Sequence, residues 1–331
     1  MALKTFNPIG LPIDVQYDTD QARKEIHVTT WGGKDFALSA DAYDGVAAFR
    51  LNGILKHQFA REVEACAGSP ALYYDHNIST RAEVDGSETW ITRGVAERVE
   101  GFLSDLTPKA YKGYPLTIAF AVERKSGIGV RVDGVSIDMP DSAAIMVADA
   151  SQMSAIEITI RAFPQWRTYK WEGGLADPYL ISNATMISNE KMMLNDGRDP
   201  EGNQAPAHPF YVRWINAYGG YDYFMFACNQ RFEEKLESIE TYETYNGIGQ
   251  MGIAAHEASE QVSVSTGQIS ADQWRAIAYI LRSPEVLWWS EAKQDWVAIT
   301  PTKGAKVTWE AEQPTGEIEL TFDLPKPQTT I

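Results

Sequence analysis

The chain has 331 residues, of which 44% are hydrophobic and 22% charged, a balance typical of a globular protein with ample material for a core. Its formal net charge of −16 and pI of about 4.8 argue against binding to nucleic-acid backbones or anionic membranes, because both require a basic surface. No stretch approaches the roughly 18 apolar residues of a membrane span, and the first residues lack the apolar core of a signal peptide. We therefore expect no nucleic-acid partner, no membrane insertion and no export signal.

Residues 1–163 show the period-two alternation of apolar and polar side chains that predicts β-strands. Gly32–Gly33 and Asp133–Gly134 each separate two such runs, which predicts a hairpin at both places. Leu51–Phe59 and Val99–Leu106 are candidates for brief helices. We therefore expect an N-terminal β-rich region over residues 1–163, made of one or more domains.

Proline, glycine, asparagine and aspartate punctuate residues 164–208, and this composition predicts a loop-rich linker or insertion. Within it, Asn195–Asp199 resembles part of a calcium-binding loop, but it lacks the full pattern and the final glutamate ligand. We therefore predict no metal ion and no cofactor.

Residues 209–226 form the most aromatic stretch of the chain and predict a β-hairpin. Phe210–Ile215 and Tyr221–Phe226 both alternate with period two, and Gly219–Gly220 is expected to supply the positive φ that a two-residue hairpin turn requires. So many aromatic rings must bury at least one face of the hairpin. Two interpretations stay open: a hairpin in the core of a β-rich fold, and a contact surface for a partner chain.

The segment after this hairpin is less regular in sequence. Arg231–Tyr245 favours an extended run over a helix, and Gln261–Ser265 predicts a strand. Glycines interrupt the stretch between them, at positions 247, 249 and 252, and predict a loose connection.

The remainder of the C-terminal region, residues 209–331, predicts one helix followed by strands. Ser270 and Gln273 form a capping-box pattern and Pro284 stops the apolar stripe, so a helix is expected over about residues 270–282. Strands are expected at 286–289, 295–300, 306–312 and 318–324, with a turn at 313–316. The predicted fold class is therefore mainly β, with two or three β-sandwich or β-barrel-like domains and few short helices.

Sequence motifs of catalysis are scarce. The chain has no phosphate-binding Gly-Lys-Ser/Thr loop and no Gly-x-Ser-x-Gly elbow. Asp75 and His76 are a local acid–histidine pair, and Cys66 or Ser69 could meet His76 in the folded chain, but no spacing singles out a nucleophile. Cys66 and Cys228 lie far apart in no metal-binding spacing, so we expect two buried free thiols. No catalytic, cofactor-binding or metal-ligating residue is predicted.

The aromatic content leaves room for sugar-stacking surfaces or for subunit contacts. Trp288 and Trp289 are adjacent on a predicted strand, so one of them must face outward or into an interface. Burial in a core or subunit contact is one interpretation of these rings, and a ligand platform is the other. The interface or structural candidates of the whole chain are Trp214, Asn216, Gly219, Gly220, Tyr221, Tyr223, Trp288 and Trp289.

Two C-terminal stretches carry a family resemblance. Phe210–Asn216 followed by Gly219–Tyr223 resembles a Trp-(Leu/Ile)-Asn-x-x-Gly-Gly-x-Asp-Tyr pattern of structural proteins from phages and prophages of Bacteroidetes-type bacteria. The run from Ser283–Val286 through Trp296–Ile299 to Glu319–Phe322 is similar to the close of many tail and baseplate proteins. These motifs are structural and bring no catalytic residue with them.

The N-terminal strand series that leads into Phe49–Leu51 resembles the β-sandwich of distal-tail ring proteins, whereas residues 164–208 match no part of that pattern. The resemblance implies a virion protein, made in the bacterial cytoplasm, that forms a homo-oligomeric ring or layer in a tail or baseplate and contacts other tail proteins. A carbohydrate-binding or receptor-binding adhesin that contacts a host-surface glycan is the alternative. A hydrolase with a scattered site is a second alternative.

Overall fold

The computed structural model confirms a mainly β fold with few short helices. It describes residues 4–66, 72–98, 101–104, 106–107, 109–111, 113–122, 128–132, 135–137, 144–151, 155–162, 165–172, 209–226, 228–244, 250–309 and 315–325. The chain divides into two compact units. Unit 1 comprises Met1–Ala176 with Ile215–Tyr223, and unit 2 comprises Asp177–Trp214 with Phe224–Ile331.

The described residues of unit 1 form four sheets. In order of neighbouring strands, the first is β1 (Phe6–Pro8), β9 (Ser87–Thr92), β8 (Ser79–Val84), β3 (Arg23–Thr30) and β4 (Asp35–Asp41). The second is β10 (Gly101–Phe102), β11 (Thr117–Val122), β14 (Ala144–Asp149), β7 (Leu72–Asp75) and β6 (Val63–Ala65). The third is β13 (Val135–Ile137), β12 (Ile128–Val132), β15 (Ala155–Ala162) and β16 (Gln165–Glu172). The fourth pairs β2 (Asp14–Asp18) with β5 (Val46–Arg50), and helix α1 (Asn52–Leu55) follows β5.

One core of unit 1 lies between its first sheet and the β2–β5 pair. Alternate side chains point into it from each strand, as the period-two pattern predicts; on β3 these are Ile26 and Val28, both fully buried. Leu51 and Leu55 close the core from the short helix. The strands β11 and β14 differ, because nearly all their side chains are buried, and their sequences are correspondingly continuous apolar runs.

The described residues of unit 2 form three sheets. The first is β18 (Tyr221–Phe226), β17 (Phe210–Ile215), β22 (Val286–Ser290) and β23 (Asp295–Ala298), and the ends of β17 and β18 next to the turn are the part assigned to unit 1. The second is β19 (Cys228–Thr244), β20 (Gln250–Ser265), β26 (Glu319–Asp323) and β24 (Thr300–Pro301). The third pairs β21 (Ile269–Ser270) with β25 (Thr315–Gly316).

The predicted C-terminal helix is confirmed as α2 (Ala271–Ala278), which continues as a 3-10 turn over Tyr279–Arg282. Its capping box forms as expected: the backbone N–H of Gln273 donates to Ser270 Oγ, and the backbone N–H of Ser270 donates to Gln273 Oε1. The 3-10 turn ends at Arg282, and the backbone of Ser283 is extended, as expected for a residue that precedes proline.

Several local predictions are wrong. Gln165–Glu172, expected to be loop, is strand β16, which pairs in register with β15 over its whole length and is rich in the aromatic and threonine residues that favour strands. The remainder of the predicted linker, residues 173–208 with its Asn195–Asp199 segment, lies outside the described residues. Residues 306–309 have no regular structure where a strand was expected, and Gly101–Phe102 pairs as β10 in place of a brief helix.

The central hairpin is confirmed, but its turn differs from the prediction. The strands end at Ile215 and begin again at Tyr221, so five residues connect them, and the N–H of Asn216 donates to Gly220 O at 2.8 Å. Of the two glycines in the turn, Gly219 alone has positive φ, at +88°. Gly220 is required for another reason, since a Cβ there would lie 2.1 Å from Leu103 O.

Substitutions of Gly113, Gly219 and Gly220 separate the energetic cost of backbone strain from the cost of steric crowding. Gly113 has φ of +84° with open space around it, so Gly113→Ala should cost only about 1 kcal/mol of the free energy of unfolding. Gly220→Ala forces a backbone shift at Leu103 and should cost about 3 kcal/mol or more. Gly219→Val combined with Gly220→Val should prevent folding. Urea unfolding of the three variants measures this order, and equal losses for Gly113→Ala and Gly220→Ala would contradict it.

Candidate functional site

The hairpin turn, Asn216–Gly220, is held by the side chain of Asn216. Its Oδ1 accepts hydrogen bonds from the backbone N–H groups of Tyr218 at 2.9 Å and Gly220 at 3.2 Å. Its Nδ2 donates to Leu103 O at 2.7 Å and to Asp222 Oδ1 at 3.0 Å. Asn216 is 1% exposed, so this amide uses both its donors and its acceptor inside unit 1. Aspartate or leucine at this position could not make the same four bonds.

Buried polar groups extend this network on either side of the turn. Ser104 Oγ donates to Asp222 Oδ1 at 2.5 Å. Arg93 Nη1 donates to Asn77 Oδ1 at 2.6 Å, and Asn77 Nδ2 donates to the Tyr221 hydroxyl at 2.8 Å. The backbone of the turn is bonded in the same way, because Ala217 O accepts from two consecutive N–H groups, of Val95 and Ala96, at 2.7 and 2.8 Å. Paired buried polar groups of this kind fix one arrangement of the chain.

Two further side chains complete the contacts of the turn within unit 1. The Arg98 guanidinium lies 3.7 Å from the centre of the Tyr218 ring, a cation–π contact, and its Nη1 donates to the carbonyl oxygens of Phe102 and Ser104. The Tyr223 hydroxyl accepts from the N–H of Thr117 at 3.2 Å. The hairpin turn is therefore a structural element of unit 1, and its polar groups hydrogen-bond to the protein itself.

Every predicted candidate in the hairpin is buried in the folded chain. Trp214, Asn216, Gly219, Gly220, Tyr221 and Tyr223 all lie in the interior. Asp222, which belongs to the resemblance pattern but is not among the predicted candidates, is buried with them at the centre of the polar network. Burial favours the core interpretation of this hairpin over a partner-binding surface.

Trp288 and Trp289 lie on opposite faces of β22 and are both half-buried. Trp288 stacks on Phe210 with ring centres 5.5 Å apart. Trp289 meets Trp296 edge-on at 5.4 Å, and Trp296 also carries the Arg213 guanidinium 4.4 Å from its ring centre. Both faces of β22 are therefore packed inside unit 2, and each tryptophan ring contacts another aromatic ring, so neither is a bare stacking surface for a ligand.

The acid–histidine pair predicted at Asp75 and His76 is organised differently. Asp75 Oδ1 accepts from the N–H of Asn77, whereas His76 stacks on the Trp31 indole at a centre distance of 3.5 Å. His76 Nε2 lies 3.3 Å from Glu64 Oε2, and the Trp31 Nε1–H donates to the same oxygen at 2.9 Å. His76 is 1% exposed, and its burial lowers its pKa although the nearby Glu64 carboxylate opposes the shift.

Cys66 does not supply a nucleophile to this histidine cluster. The residue is buried and free, as predicted, and burial raises the pKa of its thiol. The thiol hydrogen-bonds with Tyr74, whose pKa burial raises to about 12. A protonated thiol beside a neutral phenol is unreactive at neutral pH. Ser69 and the side chain of Cys228 lie outside the described residues.

Neither a metal centre nor a membrane-spanning helix occurs in the described part of the chain. Among these residues no group of three or more histidine, cysteine, aspartate or glutamate side chains is placed to hold a metal ion. No helix there is both long enough and apolar enough to cross a membrane.

The longest described strands form a two-stranded ribbon in unit 2. β19 and β20, of 17 and 16 residues, pair antiparallel from Cys228–Ser265 to Thr244–Gln250. The third strand of this sheet, β26, pairs with β20 only over Gln261–Ser265. Over Glu234–Thr244 and Gln250–Glu260, which we call the arm, no third strand pairs with the ribbon within the described residues. At about 3.3 Å per residue the arm extends roughly 35 Å.

The base of the arm exposes an aromatic side chain. Phe232 on the edge strand β19 is 56% exposed, although its cross-strand partner Val262 is completely buried. Phe232 and Val262 are side by side on one face of the sheet, so the apolar side chains of that face extend from the buried core to an exposed ring. Arg231 and Glu233, which flank the ring, form an exposed ion pair at 2.8 Å. The sequence predicted the extended run of β19 but missed the arm, because glycines near its tip indicated a loose connection.

No protein-family model and no curated protein sequence matches the chain.

The turn network yields a prediction at Asn216. Asn216→Asp would place a carboxylate 3.0 Å from Asp222 and against Leu103 O, with no proton to donate to either, and should cost more than about 3 kcal/mol of unfolding free energy at pH 7. Like-charge repulsion raises the folded-state pKa of the new carboxyl, so part of this loss should be recovered as the pH falls towards 4. Asn216→Ala, which adds no charge, is the control. Urea titrations should show pH-dependent recovery for the aspartate variant alone.

The histidine cluster predicts a second pH dependence. Because the folded-state pKa of His76 is lowered, the unfolded chain binds more protons, and the stability of unit 1 should fall as the pH drops below about 6.5. His76→Phe keeps a ring against Trp31 and should flatten the stability profile between pH 7 and 5. An unaltered profile for His76→Phe would show that this histidine does not govern it.

Proposed function

We propose that this chain is a structural subunit of a phage tail or baseplate, and that it assembles with further copies of itself through the arm. The observation that carries this proposal is the arm: a ribbon about 35 Å long that the described parts of its own chain leave two-stranded. An isolated two-stranded ribbon is marginally stable in water, so a partner that covers it stabilises both chains.

The edge strand supplies the backbone groups for such a contact. Among the described strands β19 ends its sheet, and an edge of this length that no described strand covers is a ready template for another chain. Three register shifts, at Cys228–Arg231, Leu236–Ser238 and Glu240–Thr241, bend the ribbon. Such bulges restrict pairing to a partner of matching curvature and protect against indiscriminate aggregation. Phe232 adds an apolar anchor at the base of the arm.

The resemblance of the hairpin and the C-terminal run to tail and baseplate proteins supports the class of particle. In this proposal the partners are other copies of the chain and neighbouring tail proteins, and the protein resides in the virion. The role needs binding surfaces and no catalytic group, so we propose a protein that is not an enzyme. The buried polar network of the hairpin turn suits a subunit that must keep one shape in a particle.

The assembly proposal predicts the effect of removing the Phe232 ring. Burying a phenylalanine contributes about 2 kcal/mol per contact, so Phe232→Ser should weaken self-association by roughly thirtyfold per interface. Tyr43→Ser is the matched control, since Tyr43 is 83% exposed on a hairpin turn of unit 1. Light scattering over a concentration series should show oligomers for wild type and Tyr43→Ser, and a shift towards monomer for Phe232→Ser.

A second variant joins the cross-strand pair Glu234 and Glu260 by an Asn-Gly turn and so deletes the arm. It should stay folded by circular dichroism and become monomeric. A wild-type chain that is monomeric at all concentrations, or an armless variant that still assembles, would contradict assembly through the arm. Negative-stain images of the wild-type oligomer, and its recovery in tail particles, test the class of particle.

A further inference from the structure

A pocket of about 340 Å³ lies on the outer face of helix α2 and its 3-10 continuation. Its lining residues are Trp274, Arg275, Ala278, Tyr279, Leu281, Arg282 and Val307. The helical positions recur at spacings of three and four, so they share one face of the helix. The volume is that of a site for one or two sugar residues or a similar small ligand.

The pocket combines aromatic and cationic walls. The Trp274 Nε1 atom is buried without a hydrogen-bond partner among the described residues, so any part of this side chain that reaches the pocket is ring carbon. Tyr279 also lines the pocket, and burial raises the pKa of its phenol, which therefore remains neutral. Aromatic carbon faces suit the C–H face of a pyranose ring, because the negative ring face attracts the positive C–H edges.

The charge of the pocket is opposite to that of the protein. The chain carries a net charge of −16, yet both ionisable side chains in the pocket wall that are charged at neutral pH are arginines. Arg275 pairs with Asp272 at 3.0 Å, whereas Arg282 has no ion-pair partner in the described part of the chain. Seven residues of helix separate them by roughly 11 Å. Guanidinium groups bind carboxylates through paired hydrogen bonds.

We propose that this pocket binds an acidic glycan, with a uronic-acid ring against Trp274 and Tyr279 and its carboxylate on Arg282. A neutral glycan would leave the exposed Arg282 guanidinium bound only to water, whereas a carboxylate can form paired hydrogen bonds with it, and a simple inorganic anion would leave the aromatic walls uncovered. The site is independent of the arm in its residues, and it would give a structural subunit a contact with a cell-surface polysaccharide.

The test uses the full-length protein and trigalacturonate as the probe, followed by isothermal titration calorimetry and tryptophan fluorescence. Trigalacturonate should bind saturably, with an affinity that falls as salt is added, and maltotriose should bind at least tenfold more weakly. Arg282→Gln should weaken trigalacturonate binding about tenfold. Arg23→Gln, at an exposed arginine of β3 in unit 1, outside both the pocket and the arm, should bind as wild type does.

Absence of saturable binding at millimolar trigalacturonate, equal binding of maltotriose, or unchanged binding by Arg282→Gln would each overturn the glycan site. A change in oligomer mass caused by Arg282→Gln, with no glycan binding, would also overturn it and would assign the pocket to a protein contact. Light scattering on the same samples keeps the two proposals apart, because loss of glycan binding with an intact oligomer removes only the pocket proposal.

Discussion

The structure of unit 1 depends on the side-chain amide of one residue. Asn216 joins the backbone of its own turn to Leu103 and to the Asp222 carboxylate, all away from water. Each of these groups, if left unpaired in the interior, costs about 1–3 kcal/mol. The turn therefore has one low-energy arrangement, and the close approach of Gly220 to Leu103 O follows from it. Hydrogen bonding of buried polar groups, more than aromatic burial, sets the position of the hairpin.

Much of the architecture could be predicted from local sequence signals. Period-two alternation indicated most strands, and the Ser270–Gln273 capping box indicated the helix that forms at α2. These signals work because their causes lie within a few residues of one another. The polar network produces no such signal, since the partners of Asn216 and Tyr221 lie 113 and 144 residues away in sequence. Asn and Gly in a hairpin indicate a turn, but they do not indicate what the turn binds.

The two proposed surfaces were missed for related reasons. Glycines near the arm tip indicated a loose connection, although antiparallel pairing continues through Tyr242 and Gly252, because a glycine weakens a strand but does not prevent its pairing. The pocket arginines occupy the outer face of a helix, where positive charge is ordinary in a sequence. Val307, distant in sequence, also lines the pocket, so no local pattern in the helix indicates the cavity.

The division of the chain also has a consequence for its biosynthesis. The sixteen described strands up to Glu172 are translated before Ile215–Tyr223, yet this later segment belongs to unit 1. While the ribosome is still working between these points, the carbonyl of Leu103 and the amides of Val95 and Ala96 lack their partners. Unit 1 therefore cannot finish folding until Ile215–Tyr223 has been synthesised. Until then, the backbone groups that bind the hairpin turn form an open seam, that is, a surface without its hydrogen-bond partners. A chaperone that shields such a seam would act in this interval.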